Sequence, residues 1–177
     1  FAWLLYRINS NGTLDDSFGT AGRVVTNVSQ GAAGVINDHV STLALQSDGR
    51  ILAGGDATNA FALARFQPGG MLDETFGTGG IVTVANPLSS TTEVTPGGLV
   101  LQADGRILFD GMAGRLADGA YSFSSVTMRF NSDGVLDGTF GTSGMVNTAS
   151  EGAVGILLQT DGKVLVLGPT TLTRLWT

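Results

Sequence analysis

The chain has 177 residues, 42% of them hydrophobic and only 14% charged, with a net charge of −6 and no cysteine. That is enough for a globular domain with its own core, and it excludes disulfide scaffolds and thiolate metal sites. With Lys163 as the single lysine there is no basic patch for nucleic acid, and no apolar run approaches the ~20 residues of a membrane span. The 27 glycines have no three-residue period and stand against only 4 prolines, a balance that points to many tight turns between short strands. The chain begins at Phe1 without a recognisable signal sequence, which fits a processed chain or part of a longer one.

In chain order, the first motif is RINSNGTLDDSFGTAGRV at 7–24. It leaves a strand through a polar Asx-type turn at Asn9–Gly12. A compact loop anchored by Leu14 and Phe18 follows, then a strand at Val24–Val28. The second motif, LALQSDGRIL at 43–52, sets Asp48-Gly49 between two β-rich runs. Asp-Gly there is a hairpin signal because the turn needs positive φ, so Leu43–Gln46 and Arg50–Ala53 are predicted antiparallel strands. Phe61–Phe66 reads as a third strand. The first motif then returns as RFQPGGMLDETFGTGGIV at 65–82, ending in a fourth strand at Ile81–Val84.

LVLQADGRIL at 99–108 repeats the hairpin around Asp104-Gly105, and Phe123–Phe130 repeats the third strand. RFNSDGVLDGTFGTSGMV at 129–146 repeats the first motif, with a fourth strand at Met145–Thr148. ILLQTDGKVL at 156–165 gives another hairpin at Asp161-Gly162, and a further copy opens at Arg174. No stretch keeps a 3.6-residue apolar period, so almost no helix is expected.

These observations predict an all-β protein of about three tandem four-stranded antiparallel repeats of roughly 60 residues, built as β-propeller blades. Stacked blades bury faces that one blade alone leaves exposed. A parallel β-helix, the alternative, would need shorter coils and no hairpin turns. The repeats fall at about 1–60, 61–120 and 121–169, with the start of a fourth at 170–177. Three repeats do not close a ring of the usual 4–8 blades, so the expected object is larger. Either a longer chain completes it, or several chains form a ring or filament.

The two motifs in fixed order resemble the delta-60 repeat family of bacterial β-propellers, most closely at 129–141 and 156–168. The resemblance implies a secreted or cell-surface bacterial protein and offers no catalytic residues to transfer. The second repeat departs from it, with Gln67-Pro68-Gly69-Gly70 in place of the Asn-x-Asp-Gly turn. The third is shortened between its motifs.

Fifteen recurring positions are read as structural: Arg7, Asp15, Phe18, Asp48, Gly49, Arg65, Asp73, Phe76, Asp104, Gly105, Arg129, Asp137, Phe140, Asp161 and Gly162. The arginines have two readings, a cationic ring around a channel or an Arg–Asp tie within each blade, and one copy per blade favours the tie. Asn9, Asn11 and Asp15, like Asn131, Asp133 and Asp137, have hard-cation spacing. Gln67 and Gly69 break that pattern, which favours plain Asx turns. The side chains of Gln46, Gln102 and Gln159 are expected to brace the hairpin turns.

His39, the single histidine, has no nucleophile partner that sequence can identify. The carboxylates Asp38, Glu93, Asp56, Asp110 and Asp118 are read as lying in variable loops, and nothing selects a catalytic pair. Trp3, Tyr6, Tyr121 and Trp176 could stack on sugars, although Trp3 and Trp176 suit packing between blades better. No catalytic, cofactor or metal residue is assigned. The expected role is a non-enzymatic binding or scaffold module contacting protein or glycan through Ser29–Val40, Ala85–Pro96 and Met112–Ala120. The alternatives are a structural unit of an extracellular filament or surface layer, and a hydrolase or lyase with a central-channel site.

Overall fold

A computed structural model describes residues 2–29, 38–88, 92–148, 152–168 and 170–175. Among these there are thirteen strands and no helix. They form four antiparallel meanders in chain order. The first sheet holds β1 (Trp3–Tyr6) and β2 (Arg23–Thr26). The second holds β3 (His39–Leu45), β4 (Ile51–Ala57), β5 (Ala60–Phe66) and β6 (Ile81–Ala85). The third holds β7 (Val94–Leu101), β8 (Ile107–Ala117), β9 (Ala120–Phe130) and β10 (Met145–Thr148). The fourth holds β11 (Gly155–Leu158), β12 (Val164–Leu167) and β13 (Leu172–Leu175).

The chain is all-β and built of propeller blades. The inner strands β3, β7 and β11 lie side by side, as strands around a common axis do. Successive sheets pack face to face over three apolar layers. Trp3, Leu5 and Phe18 meet Ala62, Ala64 and Phe66 between the first and second sheets. Leu52, Phe61, Leu63 and Phe76 meet Ile107, Phe109, Met128 and Phe130 between the second and third. Leu108 and Phe140 meet Ala153, Val164 and Val166 between the third and fourth. The middle strands β4 and β5 are buried on both faces and so read as near-continuous apolar runs, while β3 alternates.

The hairpin turns are of two kinds. At Asp48-Gly49, Asp104-Gly105 and Asp161-Gly162 only the glycine has positive φ, between 84° and 87°. Each is a type I turn closed by a glycine bulge, a different turn from one left-handed at both residues. The preceding glutamine supplies the bracing through its backbone: Gln46 N–H donates to the Arg50 carbonyl at 2.8 Å, and its own carbonyl accepts from Gly49. The side-chain Oε1 atoms of Gln46, Gln102 and Gln159 are buried without a partner. The hairpins with two left-handed residues are Thr58-Asn59 and Asp118-Gly119, at the other end of the strands.

Up-and-down topology therefore sorts the turns. The Asp-Gly hairpins and the Leu-Asp-x-Ser/Thr-Phe-Gly loops all fall on one rim. The Thr58-Asn59 and Asp118-Gly119 hairpins, the ends of β2, β6 and β10 and the starts of β3, β7 and β11 all fall on the opposite, variable rim.

Candidate binding site

The repeated rim is a set of interlocked clamps. Arg7, Arg65 and Arg129 each direct Nε to the carboxylate eight residues on, at 2.7, 2.8 and 2.9 Å from Asp15, Asp73 and Asp137. Each guanidinium also lies over the loop phenylalanine, 4.6–4.8 Å from the ring centroids of Phe18, Phe76 and Phe140. In the second and third sheets another arginine joins: Arg50 Nε stands 2.9 Å from Asp73 Oδ2 and Arg106 Nε 3.0 Å from Asp137 Oδ2. These last two are charge contacts without hydrogen-bond alignment. The Asp137 carboxyl is held down at about 2, chiefly by the Thr139 hydroxyl and N–H and then by Arg129.

The same clamps reach across to the next sheet. Arg7 Nη1 donates to the Pro68 carbonyl at 2.7 Å, and Arg65 Nη1 to the Ser132 carbonyl at 2.5 Å. Gly19 N–H donates to the Gly69 carbonyl and Gly77 N–H to the Asp133 carbonyl, both at 2.8 Å. Main-chain oxygens do the accepting, so Gln67-Pro68-Gly69-Gly70 replaces a polar turn without losing a stitch. Asn11 Oδ1 and Asp133 Oδ1 accept from the N–H two residues on, and Asp15 and Asp137 face arginine. Four of the residues with cation-like spacing, Asn11, Asp133, Asp15 and Asp137, thus direct side-chain oxygens to turns and clamps.

The variable rim holds a cleft of about 550 Å³ between the second and third sheets. His39, Ser41, Asp56, Thr58 and Asn59 line one side, and Glu93, Val94, Thr95 and Pro96 the other. His39 and Asp56 meet because β3 and β4 pair them directly, with Nδ1 3.4 Å from Oδ1. Burial raises the Asp56 carboxyl, the facing His39 opposes that, and nearby Asp38 adds to it. Asp38 is buried, with Oδ1 accepting from Ser29 Oγ at 2.5 Å and Oδ2 without a partner. Ser29 Oγ lies 3.2 Å from Thr58 Oγ1, which links Asp38 to the cleft wall.

The opposite wall is fixed by a buried network. Asn86 Nδ2 donates to the Thr92 and Gly114 carbonyls at 3.1 and 2.9 Å, and Thr92 Oγ1 also donates to Gly114. Gly114 N–H in turn donates to the Glu93 carbonyl at 3.2 Å. Beyond Gly114 the β8–β9 hairpin projects, with Tyr121 and Phe123 stacked at 6.5 Å and both exposed. A larger hollow of about 690 Å³ along β6 has no ionisable side chain in its lining.

The structure therefore brings Asp38, His39, Asp56 and Glu93 to one region and leaves Asp110 buried within a sheet interface and Asp118 at a hairpin tip. Ser41 Oγ donates to the Gly54 carbonyl at 3.3 Å. Trp3 is buried between sheets, with Nε1 donating to the Asp56 carbonyl, and Tyr6 is exposed. Trp176, residues 30–37 of Ser29–Val40 and residues 89–91 of Ala85–Pro96 lie outside the described residues. Sequence reading placed Asn86 and Thr92 only within the segment Ala85–Pro96, and missed Thr58 and Asn59. A short Thr-Asn dipeptide between β-rich runs was the available signal for the last two.

The chain matches the family model described as "Domain of unknown function (DUF5122) beta-propeller" over residues 2–18, 46–76 and 102–140. The matched segments carry the Asp48-Gly49 and Asp104-Gly105 hairpins and the three arginine clamps, and place these repeats among β-propeller repeats. No curated protein matches the chain. Among solved structures, selenomethionine-substituted virginiamycin B lyase from Staphylococcus aureus is similar, at 12% identity and a TM-score of 0.29. The match covers 76% of this chain and 51% of that one, so the chain spans about half the length of that protein.

Proposed function

We propose that this chain is a non-enzymatic binding module of the delta-60 repeat type, from a secreted or cell-surface bacterial protein, which recognises glycan or protein through its variable rim. The observation that carries this reading is the separation of the two rims. Clamps and stitches occupy one, while the polar cleft and the projecting aromatic hairpin occupy the other. Carboxylates and hydroxyls in a cleft beside stacked aromatic rings suit a ligand rich in hydroxyl or amino groups.

The test is binding of the purified chain to an immobilised panel of polysaccharides and peptides, beside the double variant Asp56→Asn/Glu93→Gln. The reading predicts a panel member that wild type retains and the variant does not, at equal thermal stability. Equal retention by both, or none by wild type, would overturn it.

A structural role in an assembly is the second reading, and one observation favours it. Leu4 and Tyr6 are 50% and 60% exposed, although the matching Ala62, Ala64, Val126 and Met128 are buried against the preceding sheet. Leu157 and Leu172 are likewise exposed on the far face of the fourth sheet. A further blade of the same kind, from a longer chain or a second copy, would cover both faces.

A further inference from the structure

The interface between the third and fourth sheets differs from the other two in chemistry. Its inward third-strand positions are Ser125 and Thr127, where the first sheet has Trp3 and Leu5 and the second has Phe61 and Leu63. Opposite Thr127 stands Asp110, at the position Gly54 holds in the second sheet. Asp110 is fully buried, and Ser125 and Thr127 nearly so. Asp110 Oδ1 accepts the Gly98 N–H, inside the register shift that interrupts β7 between Pro96 and Leu99. Its Oδ2 has no hydrogen-bond partner. A Cβ at Gly97 would stand 2.5 Å from Asp110 Oδ1 and 3.1 Å from the Ala153 carbonyl oxygen. The carboxyl and that carbonyl, from the segment leading into β11, thus share one small space.

Among the described residues no cation answers this carboxylate. β7, β11 and β12 carry no ionisable side chain. On β9, Arg129 lies on the same face but is held by Asp137. Lys163, at the foot of β12, pairs with Asp161. Glu93 precedes β7, and Glu151 lies outside the described residues.

We propose that Asp110 is a proton-operated latch between the third and fourth sheets. Protonated on Oδ1, the oxygen that borders the same space as the Ala153 carbonyl, the carboxyl donates to that carbonyl and buries no charge, which fastens the joint. Ionised, it leaves a buried charge with one oxygen unanswered, and the joint loosens. Burial, opposed by the Gly98 N–H and Asp110's own, raises the carboxyl to about 6. The folded chain then binds this proton more tightly than the unfolded chain, whose carboxyl stays near 3.8. Stability therefore rises as pH falls through about 6 and levels off below about 4. Asp56 is also raised and acts in the same direction, so the comparison is made in an Asp56→Asn background.

The experiment is thermal unfolding at about pH 5 and about pH 7.5 with and without Asp110→Asn, together with a carboxyl carbon NMR titration of the Asp110-bearing chain. The latch predicts a higher midpoint at the lower pH, and loss of that difference in Asp110→Asn because its amide donates at either pH. It also predicts an Asp110 resonance titrating near 6, and fourth-sheet amides that exchange several-fold faster relative to those of β4 and β5 at the higher pH. Should Asp110→Asn fail to fold, the titration and exchange decide. An Asp110 carboxyl titrating near 4, or a pH difference unchanged by Asp110→Asn, would overturn the proposal.

Discussion

At the residue scale, the recurring arginine serves several contacts at once. Arg65 pairs with Asp73, donates to Thr75 and to the Ser132 carbonyl, and covers the Phe76 ring. Both Arg65 and Asp73 are buried, and Arg65→Ala would leave the carboxylate to Arg50 and Thr75 alone. The expected loss is about 2–3 kcal/mol, below the cost of a wholly unpaired buried charge, read by urea unfolding. Arg65→Lys should recover little of it, since a point charge cannot make the forked contacts. The low carboxyl of Asp137 contributes to the acid limit, as do the lowered Asp15 and Asp73: folded below unfolded, it adds stability above about 3.8 that disappears as pH falls toward about 2. Asp137→Asn should therefore flatten the acid limb of a stability–pH curve measured over that range.

Recurrence made Arg7, Asp15, Phe18 and their copies visible in the sequence. The reach of Arg7 and Arg65 into the next sheet was not visible, because the acceptors are backbone carbonyls and leave no side-chain signature. Asp110 was one of several loop-adjacent carboxylates for the same reason. Only the fold shows that it alone lies between two sheets while Asp56 opens onto a cleft.

At the element scale, the turns explain where glycine is required. Gly70 has φ +94°, and a Cβ there would come within 2.7 Å of Val24 and 3.1 Å of Phe18 in the preceding sheet. Gly70→Ala should cost roughly 1–3 kcal/mol in unfolding free energy, although the turn is a surface feature in sequence. Gly69, beside it, has open space around it, so Gly69→Ala should be nearly neutral. The Asp-Gly hairpins were legible because glycine between β-rich runs is a local signal. The Thr58-Asn59 turn was less so, because left-handed non-glycine residues follow no strong composition rule. The projecting β8–β9 hairpin was legible only as a variable segment, since its length is set by pairing through to Ala117 and Ala120.

At the scale of the whole molecule, three apolar layers hold four sheets in line, and the outer faces of the first and fourth remain uncovered. Tyr6→Glu or Leu172→Glu should lower any concentration-dependent rise in sedimentation coefficient without lowering the unfolding midpoint. An unchanged rise would rule out those faces as contacts. The division of labour between rims follows from the meander itself, which sends alternate turns to opposite ends. The repeated turns take the end that ties sheets together, and variation is free at the other.

The central claim, that one rim builds the fold and the other recognises a partner, is tested most directly by measuring panel binding and unfolding midpoint together for two variant sets. Arg65→Ala and Gly70→Ala represent the repeated rim; Asp56→Asn/Glu93→Gln and Tyr121→Ala represent the variable one. The account predicts lowered midpoints with unchanged binding preference, at temperatures where the chain is folded, for the first set. For the second it predicts unchanged midpoints with lost binding. Binding that survives every variable-rim substitution but disappears with those on the repeated rim would contradict it.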